Sequence, residues 1–210
     1  MKNMLNFFAD KITCNQKENE EILLNFSQTF LNKFIITSKV SGKKYFISDI
    51  EFYISSKNHN IDKDKDNGKE ITHCNERQLL ANQWYVHRTG KLSSSSLSLI
   101  QGAGIDICMG NKDKNIHTGI LVREIIDCEN NIKYHGPQKV VREIFQLPTL
   151  YHENKEKFIN FTNQIENKSI FDTESLLFLE KNSNYSKKKI VSDKRINVNN
   201  DLLYRCRWEF

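Results

Sequence analysis

The feature that most constrains the fold is a set of short apolar stretches that alternate like β-strands and also carry ionisable groups. Residues 44–53 are the clearest case, because successive side chains of a strand point to opposite faces. One predicted face is apolar and suits a core: Phe46, Ile50, Phe52 and Ile54. The other predicted face carries two tyrosines and two carboxylates: Tyr45, Asp49, Glu51 and Tyr53. Taken alone, this pattern fits a solvated face as well as a functional one.

The same combination recurs in three later strands, which gives the functional interpretation more weight. Their polar members are Tyr85 and His87 (residues 84–88), Asp106 (residues 104–108) and Arg123 (residues 119–123). Each of the four strands therefore offers at least one ionisable side chain. If the strands are neighbours in one sheet, we expect Glu51, His87, Asp106 and Arg123 to converge on a pocket.

Length, charge and cysteine use limit the classes of protein that remain. A chain of 210 residues with 38% hydrophobic residues is expected to form one domain, residues 1–210, and its net charge of +5 suits an anionic partner such as nucleic acid. The cysteines at positions 14, 74, 108, 128 and 206 form no C-x-x-C pair, so we expect no disulfide framework, no metal site and no cofactor. No apolar run is long enough to span a bilayer, and we expect a soluble, intracellular, monomeric protein that does not bind membranes.

The order of predicted elements indicates an α+β fold with a curved, mainly antiparallel sheet flanked by helices. An amphipathic helix is predicted within residues 18–36, ending in a strand at residues 34–36, and residues 41–43 form a turn into the Glu51 strand. Residues 55–69 and 91–101 are predicted exposed loops. Later strands are predicted at residues 175–180, 195–197 and 202–208.

A further helix is predicted at residues 138–145, because Gly136 and Pro137 form a strong helix start. The free amides of such a start can bind a phosphate, although most only begin a helix. Gly136 and Lys139 are therefore candidate contacts to a nucleic-acid backbone.

Taken in order, several short motifs resemble the alkyladenine (3-methyladenine, methylpurine) DNA glycosylases over nearly the whole chain. The motifs are Phe30-Leu31-Asn32-Lys33, Ile50-Glu51-Phe52-Tyr53, Thr72-His73, Trp84-Tyr85-Val86-His87, Leu121-Val122-Arg123, Gly136-Pro137-Gln138-Lys139-Val140 and Leu203-Tyr204-Arg205. Each motif is weak alone, but their shared order is much harder to obtain by chance.

The resemblance implies a monofunctional glycosylase that flips a modified purine out of DNA and hydrolyses its N-glycosidic bond, leaving an abasic site. Glu51 would act as the general base that activates water, and Arg123 would hold that carboxylate as its anion. The residues implied in the base-binding pocket are Tyr53, His73, Tyr85, His87 and Asp106. No lysine is placed as an obvious covalent nucleophile.

Two departures from the family pattern affect substrate recognition. The family inserts a tyrosine into the duplex from the hairpin before Asp106, whereas this hairpin is serine-rich, so Leu97 or Leu99 would have to act as the wedge. Asp106 and His87 stand where the family has asparagine and tyrosine.

Three alternatives remain open at the level of sequence. The same hydrolysis can act on RNA, single-stranded DNA or a free nucleotide. The chain can also be a catalytically silent nucleic-acid-binding module, or an α+β protein whose ionic residues form only a satisfied network.

Overall fold

The computed structural model describes residues 10–12, 16–56, 75–87, 103–148, 154–183, 187–196, 198 and 201–209. Three helices are present among these residues: α1 (Gln16–Lys33), α2 (Pro137–Phe145) and α3 (Lys155–Glu166). The strands are β1 (Phe34–Ser38), β2 (Lys43–Ser56), β3 (Ala81–His87), β4 (Gly104–Met109), β5 (Ile116–Asp127), β6 (Lys133–His135), β7 (Leu177–Lys181), β8 (Ile190–Asp193) and β9 (Arg205–Trp208). A short 3-10 helix, Glu76–Leu79, precedes β3.

The strands form one curled antiparallel sheet in a single α+β domain, which confirms the predicted fold class at this level. The central order is β3-β4-β5-β2-β1-β7. One edge of β2 is shared, because β1 pairs with residues 43–46 and β9 pairs with residues 49–51. Strands β6 and β8 extend the sheet by pairing with β5 and β9. The two longest strands, β2 and β5, therefore lie at the centre and present most of the candidate residues.

A pair of irregularities between β2 and β5 changes which face each side chain takes. The register passes from Ile47↔Ile125 to Asp49↔Glu124 and then to Ile50↔Val122, so Ser48 and Arg123 are each skipped once. Tyr45 therefore lies with Ile47 in the hydrophobic core, whereas Phe46 is only partly buried. The prediction that Tyr45 shares a face with Glu51 was wrong, because strict alternation fails at a bulge.

The core lies on the opposite face of the sheet from Glu51. Helix α1 packs there through Phe26 and Phe30, whose rings are stacked 5.1 Å apart, and the Phe26 ring meets Phe52 of β2 edge-on at 6.1 Å. Fully buried Trp84 of β3 donates its indole N–H to the Leu177 carbonyl at 3.0 Å. The apolar side chains of β2 and β3 therefore pack in the core, and the polar side chains that alternate with them point to the other face of the sheet.

Several element boundaries differ from the sequence prediction. Strand β2 continues through residues 55 and 56, and β5 continues beyond Arg123 to Asp127. Residues 195–196 are not a strand, and β8 lies just before them. Helix α3 and the short β6 were not predicted. The rest of the predicted 55–69 loop and all of the 91–101 loop lie outside the described residues.

No helix in the described part of the chain combines the length and apolar character needed to cross a membrane.

Candidate active site

The register of four strands brings the predicted polar residues onto one face of the sheet. Glu51 pairs with Leu121, Leu121 with Asp106, and Asp106 with Tyr85, so the four side chains form a row across β2, β5, β4 and β3. His87 lies two residues beyond Tyr85, and their rings are 5.2 Å apart. This row with its flanking residues is called the site face below.

The Glu51 carboxylate lies at the centre of the site face and is fully buried. Its Oε2 accepts hydrogen bonds from the Tyr53 hydroxyl at 2.8 Å and from Arg123 Nη1 at 3.1 Å. Its Oε1 accepts the backbone N–H of Ile196 at 2.8 Å. An ionised carboxylate offers about four lone-pair positions, so three donors leave one acceptor position for a further ligand such as water.

Arg123 reaches Glu51 because it occupies the register irregularity of β5. Its side chain is 12% exposed, and its backbone carbonyl accepts the N–H of Gly136 at 2.7 Å. The buried Arg123 Nε donates to no residue that the structure describes. The guanidinium therefore orients the Glu51 carboxylate through Nη1, and its Nε remains available to a further acceptor.

Tyr53 is held between Glu51 and a second arginine. The Arg195 guanidinium lies 5.1 Å from the centre of the Tyr53 ring and 5.3 Å from that of Tyr204, and its Nη1 donates to the Phe52 carbonyl at 3.0 Å. Burial raises the pKa of the Tyr53 hydroxyl, and the nearby Glu51 carboxylate raises it further. Tyr53 thus stays protonated and acts as a donor to Glu51.

The Asp106 carboxylate occupies the part of the site face beside Tyr53. Its Oδ2 accepts the Gln78 side-chain amide at 3.3 Å and makes ion-pair contact with His87 Nε2. A Cβ on Gly119, the residue paired with Tyr53, would lie 2.7 Å from that oxygen and 2.7 Å from Gln78 Nε2. Glycine is therefore required at position 119 for the Asp106 carboxylate to sit over β5.

A second ion pair adjoins this cluster along β2. Arg205 Nε contacts both Asp49 carboxylate oxygens at 3.0 and 3.1 Å. Burial raises the pKa of Asp49 while Arg205 opposes that rise, and the hydrogen bond to Asp49 raises the pKa of Arg205.

The Asp49 pair borders a polar cavity of about 270 Å³. The cavity is lined by Ser48, Asp49, Glu124, Lys133, His135, Arg205 and Arg207. The lining thus combines three cationic side chains with the carboxylates of Asp49 and Glu124, and Arg205 and Arg207 are paired with Asp49 and Asp193.

The structure brings together most of the predicted site residues. Glu51, Tyr53 and Arg123 form one contact group, and Asp106 and His87 form a second beside Tyr85. His73, Leu97 and Leu99 lie outside the described residues.

Of the two residues predicted to contact a nucleic-acid backbone, Lys139 is better placed than Gly136. The Gly136 amide already donates to Arg123, so it is not available to a phosphate. Lys139 is exposed on the first turn of α2.

Three contacts at the site were not predicted from sequence. Arg195 and the Ile196 amide come from a turn after β8, and no local pattern marks them as partners of Glu51. Gln78 carries a partial signal, because Asn75 followed three residues later by Gln78 is a capping-box sequence, and both capping hydrogen bonds are present. That signal fixes the helix start but not the contact with Asp106.

Among the residues that the structure describes, no group of three or more His, Cys, Asp or Glu side chains is arranged to hold a metal ion.

No protein-family model matches this chain, and no curated protein matches it significantly.

Proposed function

We propose that this chain is a monofunctional N-glycosylase that flips a modified purine out of DNA and hydrolyses its N-glycosidic bond, leaving an abasic site. The observation that carries the proposal is the buried Glu51 carboxylate, held by Tyr53, Arg123 and the Ile196 amide on a face that also carries Asp106 and His87. The order of the family-like motifs in the sequence supports the same reaction.

The chemistry assigned to Glu51 follows from its surroundings. Its remaining acceptor position binds the attacking water, and the carboxylate takes a proton from that water as the bond from its oxygen to C1′ forms. The bond from C1′ to the base nitrogen breaks and both of its electrons leave on the base, which departs as a neutral molecule when alkylation has made it cationic. Cleavage of an N-glycosidic bond develops positive charge on the sugar, which a fixed carboxylate a few ångströms away stabilises. Arg123 orients the Glu51 carboxylate before the proton is transferred.

The remaining residues of the site face form the wall for the flipped base. Tyr53 and Tyr85 supply aromatic surface, while His87 and Asp106 supply polar groups between β3 and β4. Flipping costs unstacking energy, which contacts of this kind repay. His73 and a wedge at Leu97 or Leu99 belong to the same proposal.

A backbone-binding surface next to the site supports a nucleic-acid substrate. The cavity lined by Lys133, Arg205 and Arg207 begins beside Asp49, two residues along β2 from Glu51. Lys139 is exposed at the start of α2. With the net charge of +5, these groups suit contacts to phosphates on either side of the flipped nucleotide.

A second candidate is a nucleic-acid-binding or purely structural protein in which the ionic residues have no catalytic role. Full burial of Glu51 and its pairing with Arg123 favour this alternative, because a closed ion pair is also what a structural network requires. Hydrolysis of RNA, single-stranded DNA or a free nucleotide is a variant of the first candidate.

The test is base release, measured by mass spectrometry from alkylated, deaminated and undamaged DNA and RNA. Wild type is compared with Glu51→Gln and with Glu143→Gln, a matched loss of charge in another ion-pair cluster. Release by wild type and Glu143→Gln but not by Glu51→Gln supports the glycosylase. Absence of release from every substrate by folded wild type, with nucleic acid still bound, favours the binding module.

A further inference from the structure

One buried oxygen of the Asp106 carboxylate has no hydrogen-bond donor among the residues that the structure describes. Asp106 is fully buried, and its Oδ2 is engaged by Gln78 and His87. Its Oδ1 is also buried but accepts no hydrogen bond from any residue in the described part of the chain. A buried acceptor without a donor is costly, and most such groups in proteins have a partner. The unsatisfied oxygen therefore points to a donor that arrives with a ligand.

Asp106 lies on the site face, so a ligand donor that pairs with its Oδ1 would also lie on that face. Asp106 stands in the same row as Glu51, with only Leu121 between them. Its carboxylate lies over Gly119, which is paired with Tyr53. A base that contacts Tyr53 above Glu51 would thus present one of its edges to Asp106.

A carboxylate also restricts what that edge can carry. An ionised carboxylate only accepts hydrogen bonds, so it pairs with an N–H group and repels a carbonyl oxygen or an unprotonated ring nitrogen. Gln78 and His87 hold Oδ2 and leave Oδ1 as the acceptor that the ligand meets. The ring N1–H donor is shared by guanine and hypoxanthine and absent from adenine and unsubstituted purine, so within each of these two pairs the exocyclic amine is the donor that differs.

We propose that Asp106 is the specificity-determining residue of the site and selects purines that carry an exocyclic amine over counterparts that lack it. This inference rests on the proposed function, because it assumes that a purine occupies the site face. A site built to hydrogen-bond a substrate group discriminates strongly against the analogue without that group, since its own polar atom is then left unsatisfied.

The experiment measures binding without turnover, using Glu51→Gln protein and DNA duplexes that place the test base opposite an abasic site. Two comparisons of probe bases isolate the amine: guanine against hypoxanthine, which lacks the 2-amino group, and adenine against unsubstituted purine, which lacks the 6-amino group. We expect the amino-bearing base to bind at least about ten-fold more tightly in one of the two comparisons.

Variants of Asp106 test whether its carboxylate causes the preference for an amino-bearing base. In the Glu51→Gln background, Asp106→Ala should bring the ratio of affinities for the bases with and without the amine close to one. Asp106→Asn, which keeps the shape of the side chain, should reduce this ratio. Asp127→Asn is the matched control and should leave the preference intact, because that carboxylate pairs with Lys43 at the end of β5 and lies outside the site face. Circular dichroism establishes that each variant is folded. If Asp106→Ala does not fold, the binding preference of Asp106→Asn decides the test.

The outcomes separate this inference from the proposed function. Equal binding in both comparisons, or a preference that survives loss of the Asp106 carboxylate, overturns the role of Asp106. A preference that depends on Asp106, with no base release by wild type, supports the recognition and removes the hydrolase. If no duplex binds to folded protein, both proposals fail.

Discussion

Two ionic clusters both include strands β2 and β5 and differ in how completely their polar atoms are satisfied. The first, here called the Glu51 cluster, comprises both contact groups of the site face, Glu51, Tyr53 and Arg123 with Asp106 and His87, and extends from β2 and β5 to β4 and β3. The second, here called the Lys43 cluster, lies at the other end of β2, where Lys43 Nζ bridges Asp127 at 3.2 Å and Glu143 at 3.0 Å, and the Tyr45 hydroxyl donates to Glu143 at 2.8 Å.

The Lys43 cluster is closed. Asp127 also accepts the backbone N–H groups of Glu129 and Asn130 at 2.9 and 3.2 Å, which fixes the turn after β5. None of its members belongs to the buried atoms without a partner in the described chain, whereas the Glu51 cluster contributes Asp106 Oδ1 and Arg123 Nε. The comparison teaches that burial and charge are common to structural and candidate functional clusters, and that unsatisfied atoms distinguish them.

The largest expected difference between the clusters lies in catalysis. Glu51→Gln should lower base release at least about 100-fold, because an amide cannot act as a base, whereas Glu143→Gln should leave release within about two-fold. The measurement is single-turnover base release by mass spectrometry. Similar losses in both variants would mean that general destabilisation, not a base at position 51, limits the reaction.

The stability of the Glu51→Gln variant is the control for the comparison of base release. In the Glu51→Gln variant, the new side-chain amide must place its N–H₂ group toward either the Ile196 amide or Arg123, so one donor faces another donor. We expect a loss of about 1–3 kcal/mol in the free energy of unfolding, with a cooperative transition retained. Urea denaturation followed by circular dichroism measures this loss, and an unfolded variant would invalidate the comparison of rates.

A second prediction tests the packing that places Asp106. Gly119→Ala would put a methyl group against the Asp106 carboxylate and the Gln78 amide, each at 2.7 Å. We expect a loss of about 1–3 kcal/mol in stability and a weaker preference for amino-bearing bases.

The matched variant for this prediction is Gly42→Ala, because no atom of the described residues lies within 4 Å of a Cβ at that position, although its φ of 71° adds backbone strain. Thermal unfolding and the duplex-binding assay measure the two effects. A Gly119→Ala protein with wild-type base preference would show that Asp106 is not positioned by this close approach.

A third prediction uses two aspartates whose pKa values move in opposite directions. Asp127 is buried, which opposes ionisation, but the Glu129 and Asn130 amides and Lys43 hold its pKa below the usual value of 3.8. Its contribution to stability is therefore present above about pH 4 and is lost as the pH falls through the lowered pKa. Burial raises the pKa of Asp49 above the usual value of 3.8. The folded state therefore gains stability relative to the unfolded state as the pH falls from the raised pKa to the usual value.

Stability measured from about pH 7 to about pH 3 should separate the two aspartates. Relative to Asp127→Asn, wild type should lose stability on acidification by about 1 kcal/mol, and relative to Asp49→Asn it should gain. Denaturant unfolding at each pH gives both differences. The same sign for both variants would contradict the different environments of the two carboxylates.

The smallest expected effect concerns contacts to the nucleic-acid backbone. Lys139→Ala should weaken DNA binding about equally for all sequences and reduce the slope of log K against log salt by about 1. Lys168→Ala is the matched control, because that lysine pairs with Asp172 at 3.6 Å at the end of α3. Fluorescence anisotropy at several salt concentrations measures the slopes, and equal slopes for the two variants would remove Lys139 from the interface.

Much of the fold was predictable because local patterns determine it. Alternation marked β2 to β5, the helical spacing of Phe26 and Phe30 marked α1, and Pro137 marked the start of α2. Helix α3 was missed although Phe158, Phe161 and Ile165 recur in its sequence at helical spacing. In the structure it is also held by tertiary contacts such as the Glu166 carboxylate accepting the Val86 amide at 2.9 Å.

The candidate site was predictable only in part. Sequence placed Glu51, His87, Asp106 and Arg123 on strands with the correct polar faces, and the structure brings them onto one face. It misplaced Tyr45, because bulges at Ser48 and Arg123 leave no local signal and shift the alternation on both strands.

The sequence by itself determined which residues have the chemistry for a site and on which strands they lie, because the alternation of side chains is a local property of the backbone. Only the tertiary structure decided that Glu51 binds Tyr53, Arg123 and the Ile196 amide, and that Asp106 keeps one oxygen without a donor among the described residues. Those facts depend on strand register and on a turn 145 residues away along the chain, which is a separation over which no sequence period operates.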